Sequence, residues 1–198
     1  MHLSGQGESR LIKTSAAPLL IAGGGICGLA TALATARAGK RVRLLEGRDD
    51  FHETGAGLQL GPHAVKVLEA LGLADALAPQ AVAPPAIAVM SIGRAEPLVR
   101  IRLGETARDR YGAPYWCLHR QELHRALAKA VLAEPRITVT FGFRVGAVTD
   151  AGPLVRVSDR TGQSAEGAGL IGADGLWSEV RRALEPETGD RRLTAPSG

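Results

Sequence analysis

The chain has 198 residues, 45% of them apolar and 4% aromatic, and a formal net charge of +4. That length suits one domain of ordinary size, or one and a half, with enough chain to bury a sizeable core. The charge comes mostly from scattered arginines without a basic, aromatic-interleaved element, which argues against nucleic-acid binding, and Cys27 and Cys117 lie far apart and outside any C-x-x-C, which argues against a disulfide framework or a metal site.

Residues 1–17 read as a mobile polar tail. No charged residue lies between Lys13 and Arg37, a span long enough to cross a bilayer. Gly23, Gly24 and Gly25 break that span into a strand-length run and a helix-length run, which is the wrong pattern for a membrane helix. Glu8 and the same interruption argue against a secretory signal. A soluble, cytoplasmic chain is the expectation.

A first strand is expected at about Leu19 to Ala22. It enters a turn in which Gly23, Gly25 and Gly28 have the G-x-G-x-x-G spacing. Gly23 allows the tight turn, Gly25 lets a pyrophosphate approach the backbone, and Gly28 lets the following helix pack closely on the strand. That helix is expected from about Gly25 to Ala38, with Gly39 as its C-terminal stop. Its first turn, including Ile26 and Cys27, offers backbone N–H groups and a positive dipole end to phosphates. A second strand, Arg41 to Glu46, ends in a carboxylate placed to accept hydrogen bonds from a ribose. Strand, glycine turn, helix and acid together point to dinucleotide binding on a parallel βαβ unit.

Gly55 to Pro62 reads as a glycine-rich loop with one short extended piece. A helix follows at about His63 to Leu71, stopped by Gly72, and a shorter one at Ala74 to Leu77. Ala78 to Pro85 reads as a proline-rich connector. Ala86 to Arg102 has a strand pattern, with Ile87, Val89 and Ile92 and then Leu98 to Leu103 alternating with arginine. Gly104 to Pro114 reads as a loop. The amphipathic run Arg120 to Leu132 predicts a helix with Leu123, Leu127 and Val131 on one face. Strands are expected at Ile137 to Phe141, Arg144 to Thr149 and Leu154 to Ser158, with Gly142 and Gly152-Pro153 as turns. A buried strand, Gly169 to Ala173, precedes a helix from about Ser178 to Leu184. The tail 185–198 shows no periodicity.

The segment Leu170-Ile171-Gly172-Ala173-Asp174-Gly175-Leu176-Trp177-Ser178 resembles the DG motif of the flavin-dependent aromatic hydroxylases of para-hydroxybenzoate and salicylate hydroxylase type. Three further segments resemble that family in the same order: GGGICGLATA, GAGLQLGPHAVKVLEALGL and LHRQELHRAL. The likeness covers about Pro18 to Leu184. It implies an α/β fold: a Rossmann-type FAD-binding parallel sheet, an antiparallel β-meander and a partial second β layer. Residues 18–184 would form the FAD-binding domain, with 86–116 contributing partial substrate-domain strands.

The resemblance implies FAD on Gly23, Gly25, Ile26, Cys27 and Gly28, with Glu46 on the ribose. Arg120 would lie beside the cofactor, with Gln59 as a further candidate there. Asp174 would lie near the pyrophosphate and serve NAD(P)H binding. Taken alone, Asp174-Gly175 is a good turn pair and Ser178 a good helix N-cap. Arg48 is balanced between surface and ligand. His63 and His124 read as structural residues, and Trp116 and Trp177 as packing residues. No residue is assigned as acid, base or nucleophile.

The activity implied is hydroxylation of an aromatic substrate such as a salicylate or hydroxybenzoate, with molecular oxygen and NADH or NADPH as reductant. The family's C-terminal Gly-Asp motif is absent here, since Gly189-Asp190 is followed by Arg191-Arg192-Leu193. The chain alone is therefore expected to be inactive or uncoupled, and a homodimer or a completing C-terminal polypeptide is an expected partner. The competing readings are another FAD-linked oxidoreductase acting on a lipid or quinone, and a non-catalytic FAD-binding remnant. A simple NAD-dependent dehydrogenase would continue with further βα units in place of the DG motif and the meander.

Overall fold

The computed structural model describes residues 17–52, 55–93 and 95–185. Most of the expected tails, 1–17 and 185–198, lies outside the described residues. The chain order is β1 (Leu19–Ala22), α1 (Ile26–Arg37), β2 (Val42–Leu45), β3 (Gly57–Leu60), α2 (Pro62–Ala70), α3 (Ala74–Leu77), β4 (Ala86–Val89) and β5 (Val99–Arg102). Then come α4 (Glu105–Tyr111), β6 (Trp116–His119), α5 (Arg120–Ala133), β7 (Ile137–Thr140), β8 (Val145–Asp150), β9 (Val155–Asp159), β10 (Ser164–Gly167), β11 (Gly169–Gly172) and α6 (Glu179–Leu184).

The central sheet is four-stranded and parallel, in the order β11-β1-β2-β7. Both of its faces are covered, and the alternation of residues along the strands shows how. Ile21, Val42 and Leu44 join one buried cluster with Leu29, Leu33, Leu127 and Val131 of α1 and α5. Leu20, Ala22 and Leu45 point the other way, into a second cluster with Phe143, Val145, Val157 and Val180. Helices thus cover one face and the antiparallel meander β10-β9-β8 covers the other. Side chains on successive strand residues leave by opposite faces, so a strand covered twice reads as a continuous apolar run. Each fully buried Leu, Ile or Val contributes about 1.5–3 kcal/mol.

The helix stops follow the glycines. After α1, Gly39 takes φ +79 and its N–H donates to Ala36 O at 2.9 Å, while Lys40 N–H donates to Thr35 O at 3.2 Å. After α2, Gly72 repeats the arrangement at φ +62, with Leu73 N–H on Leu68 O at 2.8 Å. This paired closure needs a residue that tolerates the left-handed region. Arg37 reinforces the second stop by donating to the carbonyls of Ala70 and Leu71.

Several expectations are corrected. Gly104 to Pro114 is not all loop, because Glu105–Tyr111 forms α4, which ends on Gly112 in the left-handed region. Ala107 is its one buried residue, so the segment carries almost no apolar periodicity to reveal it. Two short strands, β6 and β10, also escape the periodicity argument. In β10 the buried positions are the small residues Ala165 and Gly167, and a Cβ on Gly167 would lie 2.5 Å from Leu20 Cγ. The expected buried strand, β11, occupies an edge of the described sheet and is only half-buried, with Gly172 exposed. Strands β4 and β5 form a separate antiparallel pair whose β5 residues are all exposed.

Candidate functional site

A cavity of about 670 Å³ opens at the C-terminal ends of β1 and β2. In a parallel sheet this is the end where ligands bind, because helix N-termini and loops converge there. Its wall includes Gly23, Gly24, Gly25, Glu46, Arg48, Phe51, His124, Arg144, Arg160, Asp174, Trp177, Glu179 and Arg182.

The glycines of the turn have three different surroundings. Gly23 takes φ +101, and a Cβ there would meet Ala173 O at 2.4 Å. A Cβ on Gly28 would lie 1.8 Å from Gly23 O, so the first turn of α1 is pressed against the end of β1. A Cβ on Gly25 would meet nothing within 4 Å. The open space at Gly25 is thus left on the cavity side, while the other two glycines are closed in by the protein itself. Gly25 is the N-cap of α1 and supplies no side-chain cap, and no acid stands in the first turn. No side chain of the helix itself therefore caps its first N–H groups or neutralises its positive dipole end.

Glu46 leaves the end of β2 and accepts from Gly24 N–H at 2.6 Å and from Arg48 N–H at 2.8 Å. Each carboxylate oxygen has two lone pairs, so both can still accept from a ligand hydroxyl. A Cβ on Gly24 would lie 2.6 Å from Glu46 Oε2 and 2.8 Å from Phe51 Cε1, so a larger residue there would displace both side chains. His124, buried on α5, makes a 2.9 Å hydrogen bond with Gly24 O from its Nε2.

Asp174 lines the cavity and also fastens α6. Its Oδ1 accepts from Ser178 Oγ at 2.5 Å, and its Oδ2 accepts from the N–H groups of Glu179 and Val180 at 2.8 and 3.2 Å. Ser178 in turn accepts from Arg181 N–H at 2.9 Å, so the expected N-cap is in place. Gly175 takes φ +82, as a turn pair requires. Glu179 is shared by Arg182 at 3.0 Å and Arg160 at 3.5 Å, which ties α6 to the β9–β10 hairpin at the cavity edge.

The chain matches the family described as "FAD binding domain" over residues 16–195. It belongs to that family. Among curated relatives, this FAD-binding domain is 38% identical over 165 residues to 3-hydroxybenzoate 6-hydroxylase of Klebsiella oxytoca, covering 83% of the chain and 42% of the relative. It is 36% identical over 166 residues to 3-amino-4-hydroxybenzoate 2-monooxygenase of Streptomyces cremeus, covering 84% and 41%. The chain thus spans less than half the length of these relatives. Among solved structures it is similar to 2-methyl-3-hydroxypyridine-5-carboxylic acid oxygenase, with a TM-score of 0.73, 27% identity and coverage of 86% and 42%. A second likeness is to an HpxO variant of Klebsiella pneumoniae complexed with FAD, with a TM-score of 0.72, 26% identity and coverage of 84% and 42%.

FAD is the cofactor of this domain, and the cavity is built to suit its dinucleotide end. The open face of Gly25, the uncapped start of α1 and the carboxylate ending β2 are the donor and acceptor set that a pyrophosphate and a ribose require.

Of the residues singled out in the sequence, the cavity gathers Gly23, Gly25, Glu46 and Asp174. Gly28 is behind the turn. Ile26 packs against the main core cluster, and the Cys27 thiol is exposed. Gln59 and Arg120 are outside the cavity wall but close to each other's elements. Strands β3 and β6 pair antiparallel, Gln59 opposite Cys117, and Arg120 N–H donates to Ala56 O at 3.2 Å. A Cβ on Gly55 would lie 3.1 Å from Arg120 Cδ. Gln59 Oε1 accepts from the Tyr115 hydroxyl at 2.8 Å; burial, with Cys117 adding to it, raises the Tyr115 pKa.

Trp177 corrects its expectation as a packing residue, being 62% exposed at the cavity, whereas Trp116 is buried. Arg48 resolves onto the cavity wall. Arg144, Arg160, Glu179 and Arg182 had no sequence signal of their own. They reach the cavity from the meander and α6, and only the stacking of those layers brings them together.

Proposed function

We propose that this chain is the FAD-binding portion of an NAD(P)H-dependent flavin monooxygenase that hydroxylates a small aromatic acid of hydroxybenzoate type. One observation carries the reading: the glycine turn, Glu46 and the Asp174 segment converge on one cavity in a chain whose relatives are named hydroxybenzoate hydroxylases and monooxygenases. When bound, FAD would supply the redox chemistry, with NADH or NADPH as reductant and O2 as oxidant, one oxygen atom going to the ring and the other to water.

The chain's own residues bind and orient. Gly25 and the N–H groups of Ile26, Cys27 and Gly28 hold the pyrophosphate, with Gly23 shaping the turn. Glu46 accepts from the ribose hydroxyls. Asp174 keeps α6 against the same cavity and borders the nicotinamide nucleotide's approach. Gln59 on β3 and Arg120 at the start of α5, directly after β6, are the flavin-side contacts. Residues 86–116 belong to the substrate-binding layer, which a homodimer or a C-terminal polypeptide would complete. A cytoplasmic setting, where reduced nicotinamide nucleotides are made, accompanies this reading.

The test is stepwise. FAD is titrated into the chain by flavin fluorescence, with Gly25→Val as control. NADH and NADPH oxidation are then followed with hydroxybenzoates, and the aromatic product and peroxide are quantified. Substrate-stimulated oxidation, coupled or leaking to peroxide, supports the reading. FAD binding with oxidation that no aromatic acid stimulates, with or without a C-terminal portion supplied, rules out the aromatic hydroxylase assignment.

A further inference from the structure

His124 is a buried titratable residue, 4% exposed, on a helix whose other buried positions are apolar or small. Its ring meets Phe51 edge-on at 6.1 Å between centroids. Phe51 in turn meets Phe141 at 4.8 Å. Aromatic contacts at these angles set a ring's plane. A residue needed only to fill this volume would be apolar, as its neighbours Leu123 and Leu127 are.

The polar end of His124 has a definite partner. A carbonyl oxygen can only accept, so the 2.9 Å contact with Gly24 O requires the proton on Nε2. Gly24 O and Gly25 N belong to one planar trans peptide, so turning the carbonyl toward α5 turns the Gly25 N–H to the opposite side. The preceding peptide is held by its own N–H, which donates to Glu46 Oε2 at 2.6 Å. Two successive peptides of a three-glycine run are therefore each fixed by one side chain from a distant part of the chain. Such a run is otherwise the most mobile backbone a protein has.

We propose that His124 is a positioning residue for the cofactor: its Nε2–H holds the Gly24 carbonyl and so presets the Gly25 N–H and the start of α1 for the FAD pyrophosphate. The inference rests on FAD binding by the domain and is independent of which substrate, if any, is hydroxylated.

The experiment compares the FAD dissociation constant of the full chain with those of His124→Phe and His124→Gln. Phe retains the ring against Phe51 but has no donor, whereas Gln restores a donor at similar reach. His124→Phe should weaken FAD by about tenfold, the worth of one lost hydrogen bond of about 1.4 kcal/mol. His124→Gln should recover most of that loss, although both variants alter the core packing. Equal weakening in both, or in neither, overturns the proposal. Imidazole 15N shifts of the unsubstituted chain give an independent reading that needs no variant to fold. They should report the Nε2–H tautomer, and an Nδ1–H tautomer overturns the proposal.

Discussion

Gly25 and Gly28 sit within one helical turn of each other, and opposite outcomes are expected from changing them. Gly28→Ala drives a Cβ into the Gly23 carbonyl, so it should cost at least about 1–3 kcal/mol of folding stability in urea unfolding. Gly25→Val projects into open space at φ −73, where any residue is allowed. Its stability cost should stay near the N-cap loss of about 1 kcal/mol, while FAD affinity drops by more than about tenfold. The same motif thus holds one glycine for the fold and another for the ligand, and the two readouts separate them.

Asp159 makes a second residue-scale prediction, through pH. Desolvation pushes its pKa up, but the hydrogen bonds from the Thr161 hydroxyl and from the N–H groups of Thr161, Gln163 and Gly162 more than reverse this. The net shift is downward, so the folded state holds its proton less tightly than the unfolded chain. The stabilisation is fully present above the ordinary carboxylate pKa and is lost as pH falls through the folded value. The stability difference between the parent chain and Asp159→Asn should be flat near neutrality and shrink below about pH 4. A difference that instead grew in acid would contradict the assignment.

At the scale of elements, α6 is held by its caps more than by its length. It has six residues, and Val180 is its only buried one. Asp174 and Ser178 between them satisfy the N–H groups of Glu179, Val180 and Arg181. Replacing Asp174 with Ala should cost about 1–2 kcal/mol and raise amide exchange selectively at Glu179 and Val180. The Asp-Gly segment therefore has a structural task and a place on the cavity wall at once. Reading it as either a turn or a cofactor residue divides what the geometry combines.

At the scale of the whole molecule, the cavity joins the ends of β1 and β2, the start of α1, the side of α5, the meander and α6. A ligand that binds there should couple to the stability of all of them. With FAD at about a hundred times its dissociation constant, unfolding should be harder by about 2.7 kcal/mol. For a chain of this size that is a rise of about 5–10 °C in the unfolding midpoint. Differential scanning fluorimetry or calorimetry should show the rise in the parent chain and its loss in Gly25→Val.

Much of this was legible from local signals. The strand into Gly23, the helix stopped by Gly39, the acid ending β2 and the Ser178 cap all rest on contacts within a few residues, where spacing and residue type carry the physics. The strand–turn–helix–strand order likewise announced a parallel sheet, and the unbroken apolar run of β1 fits its burial on two faces. The short elements were not legible in the same way. The α4 segment buries one alanine and β10 buries an alanine and a glycine, so neither displays a hydrophobic period. The sequence by itself determined the glycine turn and the helix start after it, because these are local properties. Tertiary structure alone decided the rest of the wall: Arg144, Arg160 and Arg182 come from layers stacked on the second face of the sheet, and His124 comes from α5 on the first. A hydrogen bond such as His124 to Gly24 spans a hundred positions of chain. It depends on how two layers pack, which no local pattern encodes.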